Sequence, residues 1–491
     1  MKRARHMARQ GFLKPDRLKA LANPYEAGGE GRRARNWQPS DLGPTSSVLG
    51  NLASLRSRSR AAYRNDPYAI ASVDRIVSNM IGTGIAPKPK HADPFIRALL
   101  QELWDDWVEE SDADDATDFY GQQMLACRTV ELAGECFVRL RVRKLSDGLA
   151  VPLQLQVLEP EFVPHTKHEI AANGNVIRAG IEFDSTGRRV AYWMYRSHPG
   201  EGTVPTSTYN DLVRVPADQI LHIREVQRAG QLRGVPGLTA ILVQLKHLNE
   251  FQDAVLFRQE VANLFAGFIR KPAPDDVPVG PDGLPLEQLD DSAPMVGLEP
   301  GTMQELLPGE EVEFSTPPDA GNNYGDYIRQ QLQAVAAARG LPYELLTGDL
   351  RGVSDRVIRV VLNEFQRRIE QIQTSLYVHQ LCRPVRAAWL DAAVLAGAID
   401  LPNYPAQRRA YLRTRWVPQA WKYLHPLQDV QTRQEEVKAG FKSRDEVALS
   451  MGYDTETIDA ENAASLKRAQ GLGLVYSTDP VIQPKTTKEA A

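Results

Sequence analysis

The chain has 491 residues, 42% hydrophobic and 24% charged, with a formal net charge of −4, which is the composition of a soluble globular protein of about two to four domains. No run of about 18 apolar residues occurs and the basic N-terminus lacks the apolar stretch of a signal peptide, so we expect neither a membrane-spanning helix nor a membrane partner. The three cysteines, Cys127, Cys136 and Cys382, are widely spaced, which excludes a Cys-x-x-Cys zinc site and indicates reduced thiols of a cytosolic protein.

The first sixty residues form a basic segment. Residues 1–60 contain thirteen Lys or Arg against four Asp or Glu, with many Gly, Pro and Ser. Their weak periodicity favours a mobile arm. An arm that touches nucleic acid or an acidic partner is the alternative, and the spacing does not distinguish the two.

Hydrophobic periodicity predicts helices and then strands in the next part of the chain. Helices are predicted over 63–85, 95–109 and 122–132. Strands are predicted over 134–143, 151–162, 176–183, 189–195 and 220–223. In the first strand Phe137, Arg139 and Arg141 alternate with apolar residues, which predicts one solvent-facing side. Together these elements predict an α+β lobe.

A second set of helices brackets an acidic insert. One long helix is predicted over 239–266, and another begins at Asn322 or Asn323 and ends at Gly340. The longest periodic run starts at Ser354 and contains Pro384, where we expect a kink or break. Residues 411–417 resemble a strand, helices are predicted over 427–439, 443–450 and 455–470, and the tail after 478 is predicted to be disordered.

The insert between the two helices segregates charge strongly. Residues 272–320 contain twelve Asp or Glu, ten Pro and five Gly, but no Lys or Arg. Removing this −12 from the formal charge of −4 leaves +8 on the rest of the chain. Such segregation predicts that different faces of the protein meet different partners.

The sequence carries no recognisable catalytic motif. It has no Gly-x-x-x-x-Gly-Lys-Ser/Thr phosphate loop, no His-Glu-x-x-His and no Gly-x-Ser-x-Gly. Three weaker groups of candidates have simpler structural interpretations. A metal site could use His165, His168 and Glu169, but a surface loop is the simpler interpretation. Paired carboxylates at Asp105, Asp106, Glu109 and Glu110 are more simply a solvated helix face, and base stacking by Trp416 and Trp421 is more simply core packing. We therefore predict no catalytic residue, no metal site and no cofactor.

Several segments nevertheless resemble the portal proteins of tailed bacteriophages, specifically the lambda family. The resemblance is carried by Leu55–Tyr68, Gly134–Arg141, Pro152–Glu159, Glu260–Arg270, Met303–Phe314, Leu341–Asp349 and Phe365–Gln373. It extends from about residue 34 to residue 476, and the order and spacing of the segments are specific. The chain departs from the family pattern at Leu350–Asp355, where a segment richer in Ser and Tyr would be expected.

The resemblance implies a helix-rich α+β portal fold, with wing, stem, clip and crown, assembled as a ring of twelve subunits. The implied segments are a basic arm (1–60), an α+β wing domain (61–235), a first stem helix (236–268), an acidic clip (269–321), a second stem helix (322–340), a tunnel loop (341–356), a long kinked helix with the rest of the wing (357–425), and a helical crown with the tail (426–491).

The implied function is that of a portal, or head–tail connector, and not of an enzyme. Such a ring forms the DNA channel at one vertex of the capsid, for genome packaging and ejection. The implied partners are further copies of the chain, double-stranded DNA without sequence preference, the major capsid protein, terminase, and head-completion and tail adaptor proteins. The implied location is the virion, after assembly in the host bacterial cytoplasm. Two other classes remain open, a different phage adaptor or scaffold and a nucleic-acid-processing enzyme.

Two groups of candidate site residues follow from the resemblance. The DNA-channel loop comprises Thr347, Gly348, Asp349, Arg351, Gly352 and Ser354. The partner-docking clip comprises Asp275, Asp276, Asp282, Glu287, Asp290 and Asp291. Arg351 is the only cation of its loop, and a weak, salt-sensitive phosphate contact suits a duplex that must slide. An ordinary helix connection with a surface arginine is the alternative.

Overall fold

The computed structural model describes residues 39–201, 212–264, 268–270, 311–313, 324–421 and 426–474. They form a helix-rich α+β structure, as the sequence predicts. The helices are α1 (Ser46–Leu49), α2 (Leu52–Asn65), α3 (Pro67–Met80), α4 (Pro94–Glu110), α5 (Phe119–Ala133), α6 (Leu242–Leu264), α7 (Tyr324–Arg339), α8 (Tyr343–Thr347), α9 (Asp355–Ile372), α10 (Arg383–Leu395), α11 (Tyr404–Tyr411), α12 (Pro426–Lys438), α13 (Arg444–Ser450) and α14 (Thr455–Gly471). The strands are β1 (Ala86–Pro89), β2 (Glu135–Val142), β3 (Leu153–Leu158), β4 (Glu169–Ile170), β5 (Val176–Arg178), β6 (Ile181–Phe183), β7 (Arg189–Tyr195), β8 (Leu212–Pro216), β9 (Ile220–Arg224), β10 (Phe268–Arg270), β11 (Glu311–Glu313) and β12 (Thr414–Val417).

Helix α2 corrects the prediction for the basic arm. The arm's residues 1–38 lie outside the described residues, but residues 46–49 and 52–60 lie in α1 and α2, so the mobile-arm interpretation is wrong for them. The face of α2 formed by Leu52, Arg56 and Ser59 is buried and packs on α3 and α5. Two of these three side chains are polar, which is why hydrophobic periodicity misses the helix.

The helix predicted over 63–85 begins later, at Pro67. Asp66 is extended and its Oδ1 accepts hydrogen bonds from the backbone N of Tyr68 and Ala69, both at 2.8 Å. A carboxylate N-cap followed by proline at the first helical position is a strong helix start. The break at Asp66 therefore separates α2 from α3.

Two antiparallel sheets form the β lobe. The first has the strand order β3-β2-β9, and the second has the order β4-β5-β6-β7-β8. One side of β2, with Cys136 and Val138, joins the main core under the helices, while Phe137 on the other side joins a second core against the five-stranded sheet. The predicted solvent-facing side is therefore wrong at Phe137, which is buried, although Arg139 and Arg141 are partly exposed.

The strand predicted over 176–183 is two strands, β5 and β6. Ala179 and Gly180 separate them, with φ of 53° and 79°. A Cβ on Gly180 would lie 2.7 Å from a methyl group of Val163, so glycine is required by both backbone conformation and space. The prediction also misses β1 and β8, although β12, which pairs with β1 through Ala86 and Val417, lies inside the strand predicted over 411–417.

The run that starts at Ser354 changes helix type in its middle. Residues Gln373–Cys382 form a π-helical segment between α9 and α10 that ends two residues before Pro384, where the sequence predicts a kink or break. Its glutamines fix it across the core: Gln373 Nε2 donates to Met80 O at 2.8 Å, and the amide of Gln380 bonds the backbone N and O of Arg224 at 2.9 and 3.1 Å. The wider π turn thus carries specific contacts.

A buried ion network joins α2 to β2, β9 and the segment before α6. Glu135 Oε1 lies 2.5 Å from Arg56 Nη2 and 2.6 Å from Arg233 Nε, and its Oε2 accepts from His222 Nε2 at 2.7 Å and from Gly234 N at 3.0 Å. All four side chains are almost fully buried. Burial opposes ionisation of Glu135, but the charge of Arg233 and the hydrogen bond from His222 outweigh it and hold the pKa of the carboxyl well below its usual range.

Candidate functional site

The predicted channel loop connects α8 to α9. Thr347 Oγ1 donates to Tyr343 O at 2.9 Å and accepts from Asp349 N at 3.2 Å, which closes the end of α8. Gly348 and Gly352 both have φ of 75°, a conformation that side chains with a Cβ rarely adopt. Ser354 Oγ accepts from Val357 N at 3.4 Å and caps α9.

Arg351 stands at the exposed tip of this loop, but its charge is matched locally. Its side chain is 88% exposed, and its Nε and Nη2 donate to Asp349 Oδ1 and Oδ2 at 2.8 and 2.9 Å. These hydrogen bonds hold the pKa of Asp349 well below its usual range. The loop therefore presents a cation whose field is reduced by its own carboxylate. The phosphate contact predicted for Arg351 would be correspondingly weaker.

The loop and the start of α9 project away from the core. Leu350, Val357 and Val360 are exposed, and the first buried residue of α9 is Phe365. At 1.5 Å per residue, the stretch from Ser354 to Phe365 spans roughly 16 Å. The loop and the first turns of α9 are therefore accessible for contact with a partner.

The two predicted stem helices, α6 and α7, pack side by side. Gln244 Nε2 donates to Gln331 O and Oε1 at 3.1 and 2.9 Å. The ring of Phe251 lies 5.0 Å from that of Tyr327 and 6.0 Å from that of Tyr324. On other sides of α6, Val243, Leu256 and Phe257 are 60–66% exposed.

Specific polar contacts tie the stem pair to the α+β lobe. Asn249 Nδ2 on α6 donates to Oδ2 of Asp66 at 2.9 Å, the same carboxylate that caps α3. At the end of α7, Arg339 is buried, pairs with Glu131 and reaches Ser72 Oγ at 3.3 Å. Sequence analysis does not single out these anchors, because each joins residues far apart in the chain.

The predicted clip residues Asp275, Asp276, Asp282, Glu287, Asp290 and Asp291 lie outside the described residues. The ends of the insert are described where β10 pairs antiparallel with β11, with Phe268 opposite Glu313 and Arg270 opposite Glu311. The ladder pairs the residues just before the insert with residues 311–313 inside it.

Most of the weaker candidates take the structural roles that the sequence favours. His168 Nδ1 accepts from Ala179 N at 3.4 Å, and Glu169 pairs with Lys167 at 2.7 Å. Trp416 and Trp421 are partly buried against the main core, and Asp105, Asp106 and Glu109 are exposed on α4. These positions agree with core packing for the tryptophans and with a solvated helix face for Asp105, Asp106 and Glu109. The prediction is wrong at Glu169, which lies in strand β4, and at Glu110, which is partly buried and accepts from Ala150 N at 2.8 Å.

One cluster of possible metal ligands emerges from the fold instead. Glu159, Glu161 and His198 bring ligand atoms within 4.8 Å of one another. Arg60 donates to both carboxylate oxygens of Glu161 at 2.9 Å and lies 3.3 Å from Glu159. The arginine compensates the carboxylates, so the cluster is an ion-pair group.

Comparisons with known proteins identify relatives over most of the chain. Along its described part, the chain has no helix that is both long and apolar enough to cross a membrane. The "Probable portal protein" of Halomonas phage phiHAP-1 is 25% identical over 433 residues, which cover 86% of this chain and 81% of that protein. Portal protein B of Escherichia phage lambda is 22% identical over 507 residues, which cover 94% and 93%. A chain from the neck of an empty gene transfer agent particle is 16% identical, with a TM-score of 0.47, covering 82% of this chain and 93% of that one.

The two phage relatives are named as portal proteins, a class of virion structural proteins. A family model described as "Phage portal protein, lambda family" matches residues 30–373, well over half of the chain. The chain belongs to the lambda family of phage portal proteins. Membership confirms the family resemblance, the location in the virion and the prediction that the chain is not an enzyme. The roles of the channel-loop and clip residues stay predictions.

Proposed function

We propose that copies of this chain form a ring whose central channel carries double-stranded DNA into and out of the capsid, and whose acidic clip docks terminase first and head-completion and tail proteins later. The major capsid protein would surround the ring at its vertex. The observation that carries the proposal is the pair of long helices, α6 and α7, which ends in the β10–β11 ladder at the base of a strongly acidic insert.

Uncovered apolar side chains on α6 support contact between neighbouring copies. Val243 and Phe257 are 64% and 66% exposed. They are fourteen residues apart, which at about 100° per residue places them within roughly 40° of each other on one face of the helix. A single subunit leaves this face in water, whereas a ring would bury it.

Ring formation should therefore depend on Phe257. We expect the unmodified chain to give rings with a central hole in negative-stain images and a multi-subunit mass in native mass spectrometry. Phe257→Asp should shift the protein towards monomers, because it places a charge in the buried contact. Gln259→Asp is the matched control, since residue 259 is exposed and about 200° away on the same helix. Monomers of the unmodified chain at micromolar concentration, under every salt condition, would contradict the proposal.

The channel loop is proposed to touch DNA during packaging and to help retain it. Substitutions of the two members of the Arg351–Asp349 pair should have opposite effects on DNA retention. Arg351→Glu should weaken retention, because it removes the phosphate contact and adds repulsion. Asp349→Asn should strengthen retention and slow release, because it frees the arginine from its carboxylate.

The amount of DNA packaged and retained per particle, measured at several salt concentrations, tests this pair. Both variants should still form rings, since the loop lies outside the core. Arg367→Glu, another exposed arginine paired with a carboxylate on α9, controls for a general loss of positive charge. Unaltered DNA packaging and retention in both loop variants would contradict the proposed role of the channel loop.

A further inference from the structure

Three arginines follow one another along the side of β2 that also carries Phe137. Arg139, Arg141 and Arg143 occupy alternate positions; Arg143 lies one residue beyond the end of β2, and its backbone N still donates to Pro152 O at 2.9 Å. Side chains at alternate positions of a strand lie on the same side of the sheet, with Cα atoms about 6.8 Å apart. The second core covers this side at Phe137, whereas the three arginines are partly exposed.

Neutral amides hold two of these arginines in place. Arg141 Nε and Nη2 donate to Gln156 Oε1 at 3.1 and 2.6 Å, and Arg143 Nε donates to Gln154 Oε1 at 2.8 Å. Gln154 is itself fixed, because its Nε2 donates to two backbone carbonyl oxygens at and just beyond the end of α4, at 2.8 and 3.0 Å. An amide oxygen orients a guanidinium group without cancelling its charge.

The described residues leave this row of positive charge uncompensated. None of the three arginines forms an ion pair within 4.0 Å with a described carboxylate. Burial and the charge of Arg143 lower the pKa of Arg141 more than Asp114 raises it, and burial and the charge of Arg141 lower the pKa of Arg139. The guanidinium nitrogens that lack a partner are not buried, so a ligand at the surface can reach them.

We propose that this face of the β3-β2-β9 sheet binds the phosphate backbone of double-stranded DNA without sequence preference, as a contact separate from that of the channel loop. Three guanidinium groups in a row match a polyanion whose charges repeat at a similar distance along each strand, whereas the carboxylates of an acidic protein surface have no fixed repeat. The free N–H groups suit this ligand, because a guanidinium fork can donate two hydrogen bonds to one phosphate. The choice of DNA rests on the proposed function.

The salt dependence of DNA binding tests the site. The full chain is titrated into a short fluorescent duplex at several sodium chloride concentrations, and anisotropy gives the association constant at each. Every phosphate contact contributes about −0.9 to the slope of log K against log salt concentration. Changing all three arginines to glutamine should therefore make the slope less steep by about 2.7 for each bound subunit, and Arg141→Gln alone by about 0.9.

Arg444→Gln is the matched control, because it removes an exposed arginine of the C-terminal helices that is paired with Asp459. It should leave the slope unchanged. Thermal unfolding checks that each variant folds. If the triple variant does not fold, Arg139→Gln decides, since Arg139 has no hydrogen bond with a described residue and its loss should still change the slope by about 0.9.

An unaltered slope in the triple variant would overturn the site. If the triple variant binds DNA normally but its rings do not enter capsids, the row meets an acidic protein surface and the DNA proposal is wrong. Arg351→Glu in the same titration reports on the channel loop alone, so a failure of the channel loop and a failure of this face give different results.

Discussion

Glu135→Gln is expected to lower the free energy of unfolding by about 3–5 kcal/mol, the usual cost of removing one partner from a buried ion network. The change keeps the size of the side chain but takes away the negative charge that Arg56 and Arg233 share. Both guanidinium groups would stay buried without a counter-charge. The effect should be structural and general, because the network joins α2, β2, β9 and the segment before α6.

Urea unfolding of the dissociated subunit measures this cost. Glu364→Gln is the matched control: it removes an exposed carboxylate paired with Arg367 and should cost less than about 1 kcal/mol. A cost for Glu135→Gln as small as the control's would show that the network does not hold the lobe together.

The pH dependence distinguishes lost charge from lost packing. The pKa of Glu135 is depressed in the folded state, so its contribution is complete above the unfolded pKa of about 4.3 and is lost as pH falls towards the folded value. Protonated Glu135 is uncharged and similar in size to the glutamine of the variant. The stability difference between the unmodified chain and Glu135→Gln should therefore shrink below about pH 4.3, while a packing defect would persist.

The sequence predicts a segment correctly where the spacing of that segment's own apolar residues determines its structure. Helices α4, α5 and α9 and the three C-terminal helices were predictable because their apolar residues recur every three or four positions. Helix α2 was not, because its buried face is carried by Arg56 and Ser59. The arginine is buried only because Glu135, 79 residues away, receives it, and no local pattern encodes that contact.

The candidate sites differ in the same way: some of their features are visible in the sequence, and others depend on contacts that only the folded chain forms. The glycines and the single arginine of the channel loop are visible in the sequence, and so is the acidic insert. The pairing of Arg351 with Asp349 depends on the turn that Gly348 allows, and it changes the expected electrostatics of the loop. The amide contacts that orient Arg141 and Arg143 join the β2–β3 hairpin to the end of α4, so only the folded structure reveals them.

Deleting residues 274–294 is expected to abolish DNA packaging or tail joining while leaving the ring assembled. The deletion removes all six predicted docking carboxylates but keeps both strands of the β10–β11 ladder. Shortening a loop whose ends are already paired changes the closure entropy little, so the subunit should still fold. Docking should fail completely, because a ring multiplies a weak contact through its many copies and loses all of them at once.

A full-length charge variant separates the roles of charge and chain length. Replacing Asp275, Asp276, Asp282, Glu287, Asp290 and Asp291 by the corresponding amides keeps every residue in place and removes a charge of −6. If docking is electrostatic, this variant should assemble rings but associate with terminase more slowly than the unmodified chain. The difference in association rate should decrease at high salt, because salt also screens the attraction of the unmodified clip. A Gly/Ser replacement of equal length should match the deletion. If the deletion unfolds the subunit, the insert is part of the core and the clip assignment is wrong; if the amide variant packages and joins tails normally, these carboxylates are not the docking surface.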